Sequence, residues 1–129
     1  MNVNLNELLL EFLSEEGYRP RVDDDGDITF RCEGMSYLCL HDDGDELFFR
    51  IVLPAIYDVD DNNRARVLEG VDTVCRERKV IKAFTVGSKV WLSFEILADT
   101  TPVMADIVPR AISMLSQGRL AFYEAIGEN

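Results

Sequence analysis

Leu5, Leu8, Leu9 and Phe12 recur at i, i+3, i+4 and i+7, the spacing of one face of a helix. Asn4 is placed to cap its start, and Gly17 to end it in the left-handed conformation. The period then changes from 3.6 to two. Residues 18–22 read as a short strand, which Pro20 restricts to an edge or a bulge. Ile28, Phe30 and Cys32 alternate along a second strand, residues 36–41 return as a third, and residues 47–53 form a fourth. Asp25-Gly26, Gly34 and Asp43-Gly44 supply the turns of this meander.

Turn length decides which side chains share a face. If Gly34 closes a three-residue loop and Asp43-Gly44 a two-residue one, then Ile28, Phe30, Leu38, Leu40, Leu47, Phe49, Ile51 and Leu53 line one side. Tyr37, Cys39, Phe48 and Val52 then point to the other. A one-residue slip in either turn reverses the assignment.

Pro54 is expected to end this sheet segment, and residues 57–63 to form a polar connector. A helix follows, with Val67, Leu68, Val71, Val74 and Cys75 on one side and Arg64, Arg66, Glu69, Asp72, Arg76 and Glu77 on the other. Asp60 or Asp61 is its expected cap. Residues 79–86 and 89–97 form a hairpin about Gly87-Ser88, with Val90, Leu92, Phe94 and Ile96 inward. That turn sets Phe84 opposite Trp91 on the outer side. Thr100 or Thr101 is expected to cap a last helix with Pro102 at its first position. Its apolar side holds Val103, Ile107, Val108, Ala111, Ile112, Leu115 and Phe122, and Pro109 should kink it or delay its start. The pattern predicts an α+β fold in the order α-β-β-β-β-α-β-β-α, an antiparallel sheet with three helices. Residues 1–129 form a single domain on this reading.

Composition narrows the role. The 129 residues are 47% hydrophobic, enough for a core, and carry a net charge of −11. Such a surface repels phosphate backbones and anionic membranes and attracts basic partners, so neither nucleic acid nor membrane is an expected partner. Cys32, Cys39 and Cys75 are odd in number and match no zinc spacing, so buried free thiols in a reducing compartment are expected. Residues 1–17 carry Glu7, Glu11, Glu15 and Glu16 between short apolar patches, unlike a signal peptide or a membrane span. The expected location is the cytoplasm.

Candidate chemistry is sparse. The segments 23–27 and 42–46 resemble calcium loops, but the spacing fails. With Gly26 sixth, Arg21 falls first and Cys32 twelfth; with Gly44 sixth, Cys39 and Arg50 take those places. Hairpin turns account for both segments. Asp58, Asp60, Asp61, Asn62 and Asn63 read as a solvated connector with a cap. His41, with Cys39 two residues before it, offers two metal ligands and no third. Nothing beside it supplies an activated nucleophile. Arg76, Arg78 and Lys79, with Arg64, Arg66 and Lys82, could receive an anion, although a helix C-terminus favours positive charge anyway. No catalytic residue, metal or cofactor is expected.

The outer sheet face stands out instead. Tyr37, Phe48, Val52, Phe84 and Trp91 make an apolar second face, which something must cover: a second copy, a partner or another part of the chain. The sequence also carries "GDITFRCEG" at 26–34, "HDDGDELFFRI" at 41–51 and "RERKVIKAF" at 76–84, after a Leu-rich helix ending in Gly17-Tyr18. In these stretches and their order it resembles the YbjN-like family, labelled bacterial sensory transduction regulators and similar in fold to the type III secretion chaperones. The resemblance implies a non-enzymatic, commonly dimeric protein that holds extended segments of client proteins. A homodimer and a client or regulatory protein are therefore the expected partners. A small-molecule or metal-binding sensor, with a pocket between sheet and helices or near His41 and Cys39, is the alternative.

Overall fold

The computed structural model of the chain describes residues 4–40, 42 and 44–128. Its elements are α1 (Leu5–Glu15), β1 (Arg21–Val22), β2 (Ile28–Cys32), β3 (Met35–Cys39), β4 (Phe48–Asp58), α2 (Arg64–Glu77), β5 (Ile81–Val86), β6 (Lys89–Leu97) and α3 (Met104–Ala125). The order and the α+β class are those the pattern predicts. The strands form one antiparallel sheet in the order β1-β2-β3-β4-β6-β5. All three helices feed one core cluster on a single face of it.

The helix ends follow local chemistry. The Asn4 side chain accepts the Glu7 amide at 3.1 Å and caps α1. At the other end Gly17 sits at φ +84°, the Tyr18 amide reaches Leu13 O at 2.9 Å, and the Gly17 amide reaches Ser14 O at 3.2 Å. That pair of bonds is a Schellman motif. Before α2, Asp60 Oδ1 accepts the Asn63 amide at 2.9 Å while Asn63 Oδ1 accepts the Asp60 amide at 2.8 Å. Asp60 thus organises the turn leading into α2, one turn before the Asn63 N-cap position.

Sequence expectations are corrected at several points; of the three thiols expected to be buried only Cys39 is, Cys32 being half-buried and Cys75 exposed. β4 does not stop at Pro54; it bulges through Pro54 and Ala55 and pairs with β6 again at Tyr57 and Asp58. Ala55 takes φ +54°, and the bulge absorbs a residue that cannot donate to the ladder. Val59, expected in a polar connector, is buried in the core. α3 begins at Met104 with no side-chain cap from Thr100 or Thr101, and Pro109 lies inside it without delaying its start. Its buried stripe is Met104, Val108, Ala111, Leu115, Gly118 and Phe122, which leaves Val103 54% exposed.

A further correction concerns β3. Its partners across β2 are Phe30↔Tyr37 and Ile28↔Cys39, so the loop is the two-residue turn Glu33-Gly34. Both residues have positive φ, +50° and +80°, the geometry of a type I′ turn. Across β4 the partners are Leu38↔Val52 and Cys39↔Ile51. Each turn departs by an odd number of residues from the lengths assumed, so the two departures cancel for β4 and reverse β3 alone. Tyr37 and Cys39 face the core; Leu38 does not.

α2 and α3 meet at glycine. A Cβ on Gly70 would lie 2.6 Å from Ile126 Cγ2 and 3.0 Å from Phe122 Cε1. Overpacking costs about 1–3 kcal/mol, and alanine in a helix regains about 1 kcal/mol over glycine. Gly70→Ala is therefore expected to lower stability by about 1 kcal/mol in urea unfolding. An unchanged midpoint would mean that Ile126 moves aside at no cost.

Candidate functional site

The helices cover one face of the sheet; among the described residues none lies on the other. Side chains on that outer face come from alternate positions: Leu38 on β3, Phe48, Arg50 and Val52 on β4, Trp91, Ser93, Glu95 and Leu97 on β6, and Lys82 and Phe84 on β5. The apolar ones among them stand outside the core cluster. Phe84 and Trp91 are direct cross-strand partners, as are Phe48 and Leu97. Leu38, Phe48, Phe84 and Trp91 are half-buried, while Leu97 is 77% exposed. Val52 is fully buried in mid-sheet between Leu38 and Ser93, so it forms the floor of this face.

Of the five residues expected on the outer face, Phe48, Val52, Phe84 and Trp91 are there. Tyr37 is not: it is 2% exposed and stacks on Phe30 with ring centroids 5.5 Å apart. Leu38 takes its place because of the register. Arg50 lies on this face as well, a residue outside the expected set. A guanidinium between Phe49 and Ile51 in an otherwise apolar strand was the available signal.

Charge on this face is arranged unevenly. Glu95 Oε2 accepts the Ser93 hydroxyl at 2.7 Å and pairs with Lys82 Nζ at 3.5 Å. Its carboxylate is thereby engaged, although Arg50 lies opposite it in register. The Arg50 guanidinium instead lies over the Phe48 ring, 5.4 Å from its centroid, and its shielded Nε has no hydrogen-bond partner. Arg31 Nη2 donates to Gly34 O at 3.1 Å on the same side of β2. Arg21, Arg31, Arg50, Lys82 and Lys89 thus share the outer face with the carboxylates of Glu95 and Asp58, an excess of cations in a chain whose net charge is −11.

The other candidates have structural explanations. Ligand oxygens of Asp23, Asp25 and Asp27 lie within 4.8 Å of one another, but Asp23 Oδ1 accepts the amides of Asp25 at 2.9 Å and Asp27 at 3.0 Å to build the turn. Asp58 pairs with Lys89. Of the basic residues, Arg76 pairs with Asp72 and Glu77, Arg66 with Glu128, and Lys82 belongs to the outer face. Cys39 lies in the core, and His41 and Asp43 are outside the described residues.

Burial pushes the Cys39 thiol from 9.0 up to about 12. Burial, with the Cys32 thiol adding to it, pushes Tyr37 from 10.0 up to about 12. Both groups are acids whose folded pKa is raised. Their contribution to stability is complete below pH 9 and is lost as the pH climbs from about 9 towards 12. The urea midpoint is expected to fall across that window, and less steeply in Cys39→Ala. Equal slopes in both proteins would contradict this account.

The sheet edges are poorly suited to strand addition. β1 has two residues and follows Pro20. On β5 the Ala83 amide donates to Cys75 Sγ at 3.2 Å and the thiol lies 3.4 Å from Ala83 O, so that part of the edge is occupied.

A family model described as the T3SS (YopN, CesT) and YbjN peptide-binding chaperone 1 matches residues 4–118. The chain belongs to the TY-Chap1 family. The TY-Chap1 match spans every element up to the middle of α3 and agrees with the observed element order. A crystal structure of an uncharacterised protein from Methanothermobacter thermautotrophicus shares this TY-Chap1 chain's fold. Its TM-score is 0.67 at 14% identity, over 95% of this chain and 96% of that one. No curated protein matches the sequence. Among the described residues no helix is long and apolar enough to cross a membrane.

Proposed function

We propose that the protein is a non-enzymatic interaction module of the cytoplasm, and that its outer sheet face holds a segment of a partner protein. The observation that carries this is the uncovered apolar face, Leu38, Phe48, Phe84 and Trp91, in a chain of a peptide-binding family. Half-buried aromatic rings on a rigid sheet supply contact area at little entropic cost. The occupied β5 edge favours binding on the face over addition of a strand.

A peptide array tests it. Wild type should be retained on a subset of extended apolar peptides, and Trp91→Ala should lose at least tenfold in affinity, about 1.4 kcal/mol. Identical profiles would remove the face from consideration. Light scattering over a range of concentrations, for wild type and Trp91→Ala, reads whether the face also joins two copies.

A further inference from the structure

We propose that the segment held on the outer sheet face is apolar and acidic: an extended peptide whose carboxylates pair with Arg50 while its apolar side chains lie on Phe48, Leu38 and Trp91. This rests on the reading of that face as the binding surface. The rest follows from how its charges are already used.

Glu95 is already engaged, its Oε2 taking both the Ser93 hydroxyl and the Lys82 ammonium. Arg50 is the reverse case. It makes no ion pair among the described residues, its Nε is shielded without a partner, and its guanidinium rests on a ring. A partner that covered the face with apolar groups alone would bury that charge uncompensated. A carboxylate would accept from the guanidinium, bidentately where geometry allows, in surroundings already partly dry. A basic segment would bring like charges together. A second copy docked face to face would bring a second set of the outer-face cations into the same interface, where they outnumber the carboxylates. The acidic turns elsewhere repel an acidic peptide at a distance. At physiological salt that repulsion fades beyond about 8 Å, and contacts made on the face decide the outcome.

Trp91 is the only tryptophan, so its fluorescence reports on this face directly. The full chain would be titrated with three synthetic peptides of about eight residues, enough to cross the sheet. They alternate leucine with glutamate, glutamine or lysine. The glutamate peptide is expected to bind at least about tenfold tighter than the lysine peptide. That ratio should collapse in Arg50→Gln and survive in part in Arg50→Lys, with circular dichroism confirming that both variants fold. Lys82→Gln, at the rim of the face, should change the ratio less.

The proposal is overturned if the lysine peptide binds equally or better, or if Arg50→Gln leaves the ratio intact; either result leaves the face itself as the binding surface. It is also overturned if no peptide binds and wild type is a dimer that Trp91→Ala dissociates, because the occupant is then a second copy. If no peptide binds and Trp91→Ala changes neither assembly nor array binding, the broader functional reading fails with it.

Discussion

Tyr37→Asp is expected to leave the chain largely unfolded, while Leu38→Asp, one residue along, folds with a loss of about 1 kcal/mol. Tyr37 is buried and stacked on Phe30 at 5.5 Å. Truncating such a ring costs about 3–5 kcal/mol, and leaving an unpaired carboxylate in its place adds several more. The sum approaches the whole stability of a typical domain, about 5–15 kcal/mol. Leu38 is half-buried on the outer face, where the new carboxylate can reach water. Urea unfolding followed by circular dichroism separates the two. The opposite order would restore the register in which Leu38 faces the core. Leu38→Asp should also weaken peptide binding, because it changes the proposed contact surface without changing the fold.

The same pair of residues shows how far the sequence can be read. Alternation identified β2 and β6 and their inward residues, since Ile28 is flanked by Asp27 and Thr29 and Leu92 is followed by Ser93, whereas β4 faces as expected because the two turn departures cancel. β3 is ambiguous because Tyr37, Leu38 and Cys39 are all apolar, so only turn length could choose a face. That choice depended on Glu33 adopting a left-handed conformation that most residues avoid. The bulge at Pro54 was hidden for a similar reason: a proline alone does not say whether a strand ends or bends. Phe84 opposite Trp91 was legible because Gly87-Ser88 fits one hairpin geometry. Arg50 was not, because its importance lies in which carboxylate it fails to meet. Whether two residues 45 apart, Arg50 and Glu95, share a register is set by the tertiary fold.

Phe122→Ala is expected to destabilise the protein by about 3–5 kcal/mol, lowering Tm by roughly 10–20 °C. Phe122 is fully buried where α3 crosses α2. It packs edge to face on Tyr57 at 5.6 Å and on Tyr123 at 6.0 Å. Its removal leaves a cavity bounded by Gly70, whose missing side chain cannot fill it. A double variant makes the account specific. With the ring gone, the methyl of Gly70→Ala has part of its space, so Gly70→Ala should cost less in the Phe122→Ala background than alone. Calorimetry of the four proteins gives the coupling. Simple additivity would mean that Ile126, not Phe122, sets the helix separation.

The strand order has a consequence for synthesis on the ribosome. β1 to β4 form a local meander and β5 with β6 a local hairpin, but the longest seam joins β4 to β6 across the intervening helix. The stretch Phe48–Asp58 leaves the ribosome roughly forty residues before its partner is complete, a wait of roughly 2–8 s at ordinary elongation rates. Throughout that interval FFRIVL offers an open edge and one wholly apolar face to anything nearby. A protein of a peptide-holding family thus passes through a stage in which its own central strand is the segment that needs holding.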